Sequence, residues 1–304
     1  MKLIKFCFVC LFLINSVLFA SSNTNKYSVQ TYYSLASEAF EKYDWKKVIG
    51  YCLEIIKNYP ESSFTKESLF YLGVAYFNLR DNEASNKYFT KYLKDDFNPK
   101  YFEETMHYKY SIAENFKNGA KKRLFGLQKG PKILGANDEA LVLFDEIIAS
   151  MPMHELAAKS MFAKGQLLVI FEEYKDSIAT FEQLIEKFEK HELAVESYIE
   201  IGRIYLKRTT YKTQDMDMLE LSELNLEKLT KHYPNESQKI KELEKIVLDM
   251  KEKFAEGFLT IAKFYENTNK KEAAKIYYLK ILNAFSNTNA SKIAQKKLDK
   301  LNEN

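Results

Sequence analysis

Four histidines, three cysteines and one glycine-lysine run are the residues in this chain whose types could support chemistry. His107, His154, His191 and His232 stand at no metal-ligand spacing from one another, from a cysteine or from a carboxylate. They read as surface or helix-end residues, and no metal is expected. There is no Gly-x-Ser-x-Gly elbow, and no cysteine lies near a histidine in a protease pattern. The run Gly126-Leu-Gln-Lys-Gly-Pro-Lys132 has the glycines of a phosphate loop but lacks its Gly-Lys-Ser/Thr ending and follows no strand. Carboxylates are plentiful but scattered over solvated helix positions, where spacing alone defines no glycosidase pair. The expectation is a protein that is not an enzyme and needs no cofactor.

One charged segment stands out. Between Asn118 and Ala136 lie Lys121, Lys122, Arg123, Lys129 and Lys132, with no acid among them, interleaved with Leu124, Phe125 and Leu127. Gly119, Gly126, Gly130, Gly135 and Pro131 make it the longest stretch of breaker residues in the chain. Two readings stand side by side. It is a solvated loop, or it contacts an acidic partner or anionic lipid head groups, which would allow peripheral membrane association.

The elements that must position such residues follow from a recurrent spacing. Small or compact residues recur at Val48, Ala84, Ala140, Ser177, Ser222 and Ala274. Four residues after each comes Cys52, Tyr88, Phe144, Phe181, Leu226 or Tyr278, and Pro60, Pro152 and Pro234 close three of the units. This is the second-helix pattern of the tetratricopeptide repeat, a helix-turn-helix unit of about 34 residues. The expected fold is all-α, a tetratricopeptide-repeat solenoid of about six repeats over 29–304. No convincing strand alternation is present.

Repeats one and two cover 29–62 and 63–98. The third pairs helices over 101–117 and 137–150 around the glycine-rich break, and the fourth covers 157–190. The fifth begins at Glu196 and carries a polar insertion, Lys207 to Asp217. A charged helix from about 236 runs into the sixth, and 289–304 form a polar capping helix. Cys52 occupies an apolar packing position.

In this repeat type the first helix lines the concave wall. That register selects Tyr33, Ser37 and Phe40 in repeat one and Phe70, Val74 and Phe77 in repeat two. The four aromatics either form pockets for an apolar or aromatic peptide or pack against neighbouring helices.

Residues 1–22 read as a secretory signal: Lys2 and Lys5, an apolar stretch from Phe6 to Phe19, then Ala20-Ser21-Ser22. The stretch is short for a membrane span. Residues 23–28 form a polar linker. The formal charge of +3 becomes +1 without the two leader lysines (43 basic against 42 acidic), so there is no electrostatic case for nucleic acid.

With repeats and leader in place, the chain resembles the BamD family of outer-membrane protein assembly factors. The resemblance rests on Ala36-x-x-Ala39-Phe40, Tyr43-x-Trp45-x-x-Val48 and Tyr59-Pro60-x-Ser62 in repeat one. It rests also on the break holding Leu124-Phe125-Gly126-Leu127, on Glu139-Ala140 with Phe144 and Ile147-Ile148, and on Ala262-Lys263-Phe264-Tyr265 with Glu272-Ala273-Ala274. It implies a scaffold in the periplasm at the inner face of the outer membrane. Its C-terminal repeats would engage a BamA-like barrel-insertion protein, and its N-terminal repeats the aromatic tails of nascent outer-membrane proteins. The sequence departs from the family in two respects. Residues 16–30 hold no cysteine, which speaks against a lipid anchor, and six repeats replace about five. The competing reading is a soluble envelope scaffold for cell-wall or cell-division proteins.

Overall fold

A computed structural model describes residues 27–94, 97–124, 130–209 and 216–303. The signal-like segment, most of the linker, Phe125 and part of the Lys207–Asp217 insertion lie outside the described residues. Thirteen helices and one two-stranded ribbon are present among those described. They fall into two compact units that divide at residues 95/96.

The first unit holds two helical hairpins: α1 (Val29–Glu41) with α2 (Trp45–Asn58), and α3 (Ser63–Asn78) with α4 (Asn82–Leu93). Each helix starts where a short polar side chain takes up a free backbone donor. Ser28 accepts from the Thr31 N–H, Asp44 from Lys47, Ser62 from Phe64 and Asp81 from Ala84. Ala36, Ala39, Val48, Cys52, Leu72 and Ala75 form one buried cluster. Burial without a charged partner pushes the Cys52 thiol up to about 12, so it serves as a packing residue.

The second unit begins with α5 (Phe102–Lys117), β1 (Lys122–Arg123), β2 (Lys132–Leu134) and α6 (Asn137–Ser150). There follow α7 (Glu155–Ile170), α8 (Tyr174–Lys187), α9 (Glu192–Arg208) and α10 (Met216–His232). The last three helices are α11 (Ser237–Asn267), α12 (Lys271–Ala284) and α13 (Asn289–Glu303). At 31 residues α11 spans roughly 45 Å and serves two neighbourhoods. Its first half, through Leu243 and Ile246, joins a cluster with Val195, Ile199 and Leu229. Its second half, through Phe254, Phe258 and Ala262, joins Ala274, Tyr278 and Phe285. No described helix is long and apolar enough to cross a membrane.

Five hairpin turns share one geometry. The residue after the first helix's cap is left-handed: Tyr43 (φ 57°), Arg80 (57°), Gly119 (96°), Glu172 (63°) and Asn269 (58°). The next N–H then reaches back to close the helix. Asp44 donates to the Ala39 carbonyl, Asp81 to Tyr76, Ala120 to Asn115, Glu173 to Leu168 and Lys270 to Tyr265, each at 2.9 Å. A side chain there costs about 1–2 kcal/mol of backbone strain, and the bond offsets part of it.

Two expectations are corrected. The glycine-rich break contains a short antiparallel ribbon, Lys122 opposite Leu134 and Arg123 opposite Lys132 with a register irregularity. Strands of two and three residues are too short to show an alternating pattern. In repeat two the expected anchor Ala84 and its partner Tyr88 are only half-buried, whereas Ser85 and Phe89 are fully buried. The sequence offers two small residues in a row and two aromatics in a row. Gly73 settles the choice by leaving room for the Phe89 ring.

Candidate functional site

In the first unit the inner-wall positions lie along α1 and α3. Tyr33 packs at a tilt against Phe64 (ring centroids 4.5 Å) and lies parallel to Tyr71 at 6.1 Å. Phe40 stacks on Tyr71 at 4.6 Å and meets Trp45 edge-on at 5.5 Å. Tyr43, 73% exposed, adds an edge contact to Trp45. The result is a continuous row, Phe64–Tyr33–Tyr71–Phe40–Trp45–Tyr43, much of it half-buried. Burial, and then hydrogen bonds with Glu67 and Tyr71, hold the Tyr33 phenol well above its usual range. The row therefore offers apolar ring surface with a protonated phenol and a carboxylate beside it.

Phe70 touches the row only through Tyr71, at 6.4 Å, and is otherwise turned toward α4. It is 7% exposed and packs on Phe89 (6.0 Å) and Tyr92 (5.5 Å) of α4, and Val74 is 2% exposed. Phe77 is half-buried. Tyr71 and Phe64, which the expected register left out, are the residues that link Tyr33 to Phe40. Their signal was present as aromatics at one helical spacing along α3.

In the second unit one lysine of the basic segment, Lys122, is tied to its own protein. The Lys122 Nζ lies 2.7 Å from Asp138 Oδ2 and 3.2 Å from Glu139 Oε1, in the first turn of α6. Its hydrogen bond to Asp138 raises the lysine and lowers the carboxylate. Both acids also sit favourably at a helix N-terminus. Lys122 thus brackets β1 to α6. Arg123 is half-buried, and Lys121 is exposed. Ile133 (57%) and Leu134 (37%) are the apolar side chains β2 presents outward. Beneath the ribbon's helices, Lys109 is fully buried and pairs with Glu146 at 2.8 Å across α5 and α6. Burial pulls the lysine down, and Glu146 opposes that shift.

The histidines take structural posts. His154 and His191 cap α7 and α9, each through Nδ1 accepting a backbone N–H at 3.1 Å, from Leu156 and Leu193. His107 comes within 6.1 Å of His154, ring to ring, and Glu103 Oε1 lies 4.0 and 3.5 Å from their Nε2 atoms. Sequence spacing did not bring His107 and His154 together. Because Nδ1 of His154 accepts, its Nε2 carries the hydrogen and faces Glu103 as a donor. That arrangement does not offer a lone pair to a metal. Among the described residues no group of three or more His, Cys, Asp or Glu is arranged to hold one.

Stacked helical hairpins with an aromatic inner row define a repeat protein of the scaffold type, a class that binds other proteins. A tetratricopeptide-repeat model matches residues 67–96. The model of the outer membrane lipoprotein family YfiO, the BamD lipoprotein family, matches residues 138–303, and the chain belongs to that family. No curated protein sequence matches the chain. Among solved structures, a tetratricopeptide repeat protein from Parabacteroides merdae aligns over 91% of this chain and 99% of its own, at 15% identity and TM-score 0.39. MamA from Desulfovibrio magneticus aligns over 71% and 95%, at 15% identity and TM-score 0.38. A thermophilic repeat protein in Thermus thermophilus aligns over 73% and 100%, at 13% and 0.34.

Proposed function

We propose that the chain is a non-enzymatic scaffold for the assembly and insertion of outer-membrane β-barrel proteins, working at the periplasmic face of the outer membrane. The family match over 138–303 carries this reading, and it lies wholly within the second unit. In the proposal that unit holds a BamA-like insertion protein. The aromatic row of the first unit, with Tyr33 and Phe40 joined by Tyr71, holds the aromatic tail of a nascent barrel protein. Phe77 borders that wall, and Phe70, largely buried against α4, supports it from behind through its contact with Tyr71. Arg123 on the ribbon and Lys121 just before it are proposed partner contacts, and Lys122 holds the ribbon in place.

The test is affinity capture of the tagged full-length protein from detergent-solubilised membranes. Recovery of a barrel-insertion protein supports the reading. Recovery of soluble envelope proteins alone transfers the chain to scaffolding of cell-wall or division enzymes. A deletion strain separates the two independently, because depletion of barrel proteins from the outer membrane follows only from the first.

A further inference from the structure

The segments His154-Glu-Leu-Ala157 and His191-Glu-Leu-Ala194 repeat one tetrapeptide at two successive repeat junctions. In both, the imidazole Nδ1 takes the N–H two residues on, at 3.1 Å. The same post at the start of α3 is held by Ser62, whose Oγ takes the Phe64 N–H at 3.3 Å. A serine oxygen accepts at any pH. An imidazole nitrogen accepts only while it is unprotonated, and histidine is the side chain that changes charge between about pH 5 and 8. Once protonated, Nδ1 aims a donor and a positive charge at a helix end that already carries about half a positive charge.

The charged surroundings give an added proton somewhere to be held. His154 faces Glu103 and His107 from α5, and Glu155, ion-paired with Lys159, stands beside it on its own helix. Glu155 and His191 also line one cleft. His191 lines a cleft of about 640 Å³ with Glu186, Glu189 and Lys190 from the end of α8 and Glu192 beside it. His232 and Glu236 close the cleft from α10 and the start of α11, and Lys187 faces His191 from a neighbouring cleft. Carboxylates outnumber lysines around this ring. Each imidazole therefore lies between a backbone N–H at its helix start and carboxylates of neighbouring elements.

We propose that His154 and His191 are paired acid-sensitive locks on the junctions between repeats three, four and five. At neutral pH they cap α7 and α9. In acid they release both first turns and pair with the nearby carboxylates instead. The hairpins of the first unit, capped by serine and aspartate, keep their caps under the same conditions. This device does not depend on which partner the second unit binds.

The experiment is amide hydrogen exchange on the intact protein at about pH 7.5 and about pH 5, corrected for intrinsic rates. A cap is worth about 1 kcal/mol, so protection of the Leu156 and Leu193 amides is expected to fall roughly five-fold in acid. The Phe64 amide on Ser62 is the internal control and is expected to hold. In the double variant His154→Asn/His191→Asn, whose caps accept at both pH values, the fall is expected to vanish. Unchanged protection in the wild type, or an equal fall in the variant, overturns the proposal. Imidazole ¹⁵N shifts of the wild type at pH 7.5 test it without any variant. An unprotonated Nδ1 on both rings is expected, and an Nδ1–H tautomer overturns the proposal.

Discussion

Ser177 donates its hydroxyl to the carbonyl oxygen of Gly165 at 2.8 Å, tying α8 to α7 at the point of closest approach. Ser85 and Gly73 repeat the bond at 2.8 Å between α4 and α3. In both hairpins the glycine also makes room for an aromatic ring four residues beyond the serine, Phe181 or Phe89. Small residue, glycine and ring thus form a single packing unit, seen among the described residues in both compact units.

That unit makes Gly165 intolerant of a methyl group. A Cβ there would sit 2.6 Å from Cζ of Phe181, a ring with no exposure and no room to retreat. Gly165→Ala is expected to cost about 1–3 kcal/mol from overpacking, exceeding the helix-propensity gain of about 1 kcal/mol. Gly50→Ala has open space around the new methyl and is expected to stabilise by up to about 1 kcal/mol. Urea midpoints of the two variants should move in opposite directions. A Gly165→Ala midpoint at or above wild type would refute the close-approach argument.

Ser160 and Ser197 each stand six residues after the histidine of a His-Glu-Leu-Ala segment, yet their hydroxyls differ. Ser197 Oγ donates to the Leu193 carbonyl at 2.7 Å, whereas Ser160 Oγ is buried with no hydrogen-bond partner among the described residues. Ser160→Ala removes an unsatisfied polar atom and is expected to stabilise by about 1 kcal/mol. Ser197→Ala removes a satisfied bond and is expected to cost up to about 1 kcal/mol. Thermal unfolding of the pair reads the difference, and equal shifts would show that the two hydroxyls are equivalent.

The last helix is tied down by a carboxylate from another element. Glu252 of α11 accepts from the Asn289 N–H at 2.7 Å and from the Ala290 N–H at 2.9 Å, the first amides of α13. Glu252→Ala is expected to cost about 1–2 kcal/mol and to concentrate faster hydrogen exchange in α13. Glu252→Gln keeps an acceptor oxygen and should retain part of the protection. Faster exchange spread evenly over the protein would contradict a local role.

Buried tyrosines set the alkaline limit. Burial pushes Tyr110 and Tyr198 up to about 12. An unfolded tyrosine releases its proton near pH 10. Between about pH 10 and 12 the unfolded chain therefore holds fewer protons than the folded one. The stabilisation is complete below pH 10 and falls as pH rises. Tyr198→Phe and Tyr110→Phe are expected to flatten the loss of stability between about pH 10 and 12, as read by urea midpoints. A slope unchanged from wild type in both would remove these residues from the account.

What the sequence determined by itself was the helical punctuation. The expected helices over 101–117 and 137–150 lie within a residue of α5 and α6, and the long charged helix from about 236 is α11. Local chemistry settles these limits. Capping side chains and prolines act on their own backbone neighbours, and the apolar period is carried along one helix. Two of the six rings in the aromatic row were legible for the same reason, since Tyr33 and Phe40 share a face of α1. The remainder depended on which helix meets which. Whether Ala84 or Ser85 is the anchor turns on the space above Gly73. Whether Phe70 faces the row or α4 turns on Phe89 and Tyr92. The meeting of His154 with His107, the pairing of Lys122 with Asp138 and the reach of Glu252 to α13 join residues far apart in the chain. Packing volume and paired charge across elements decide such contacts, and neither is written in the local pattern of the residues concerned.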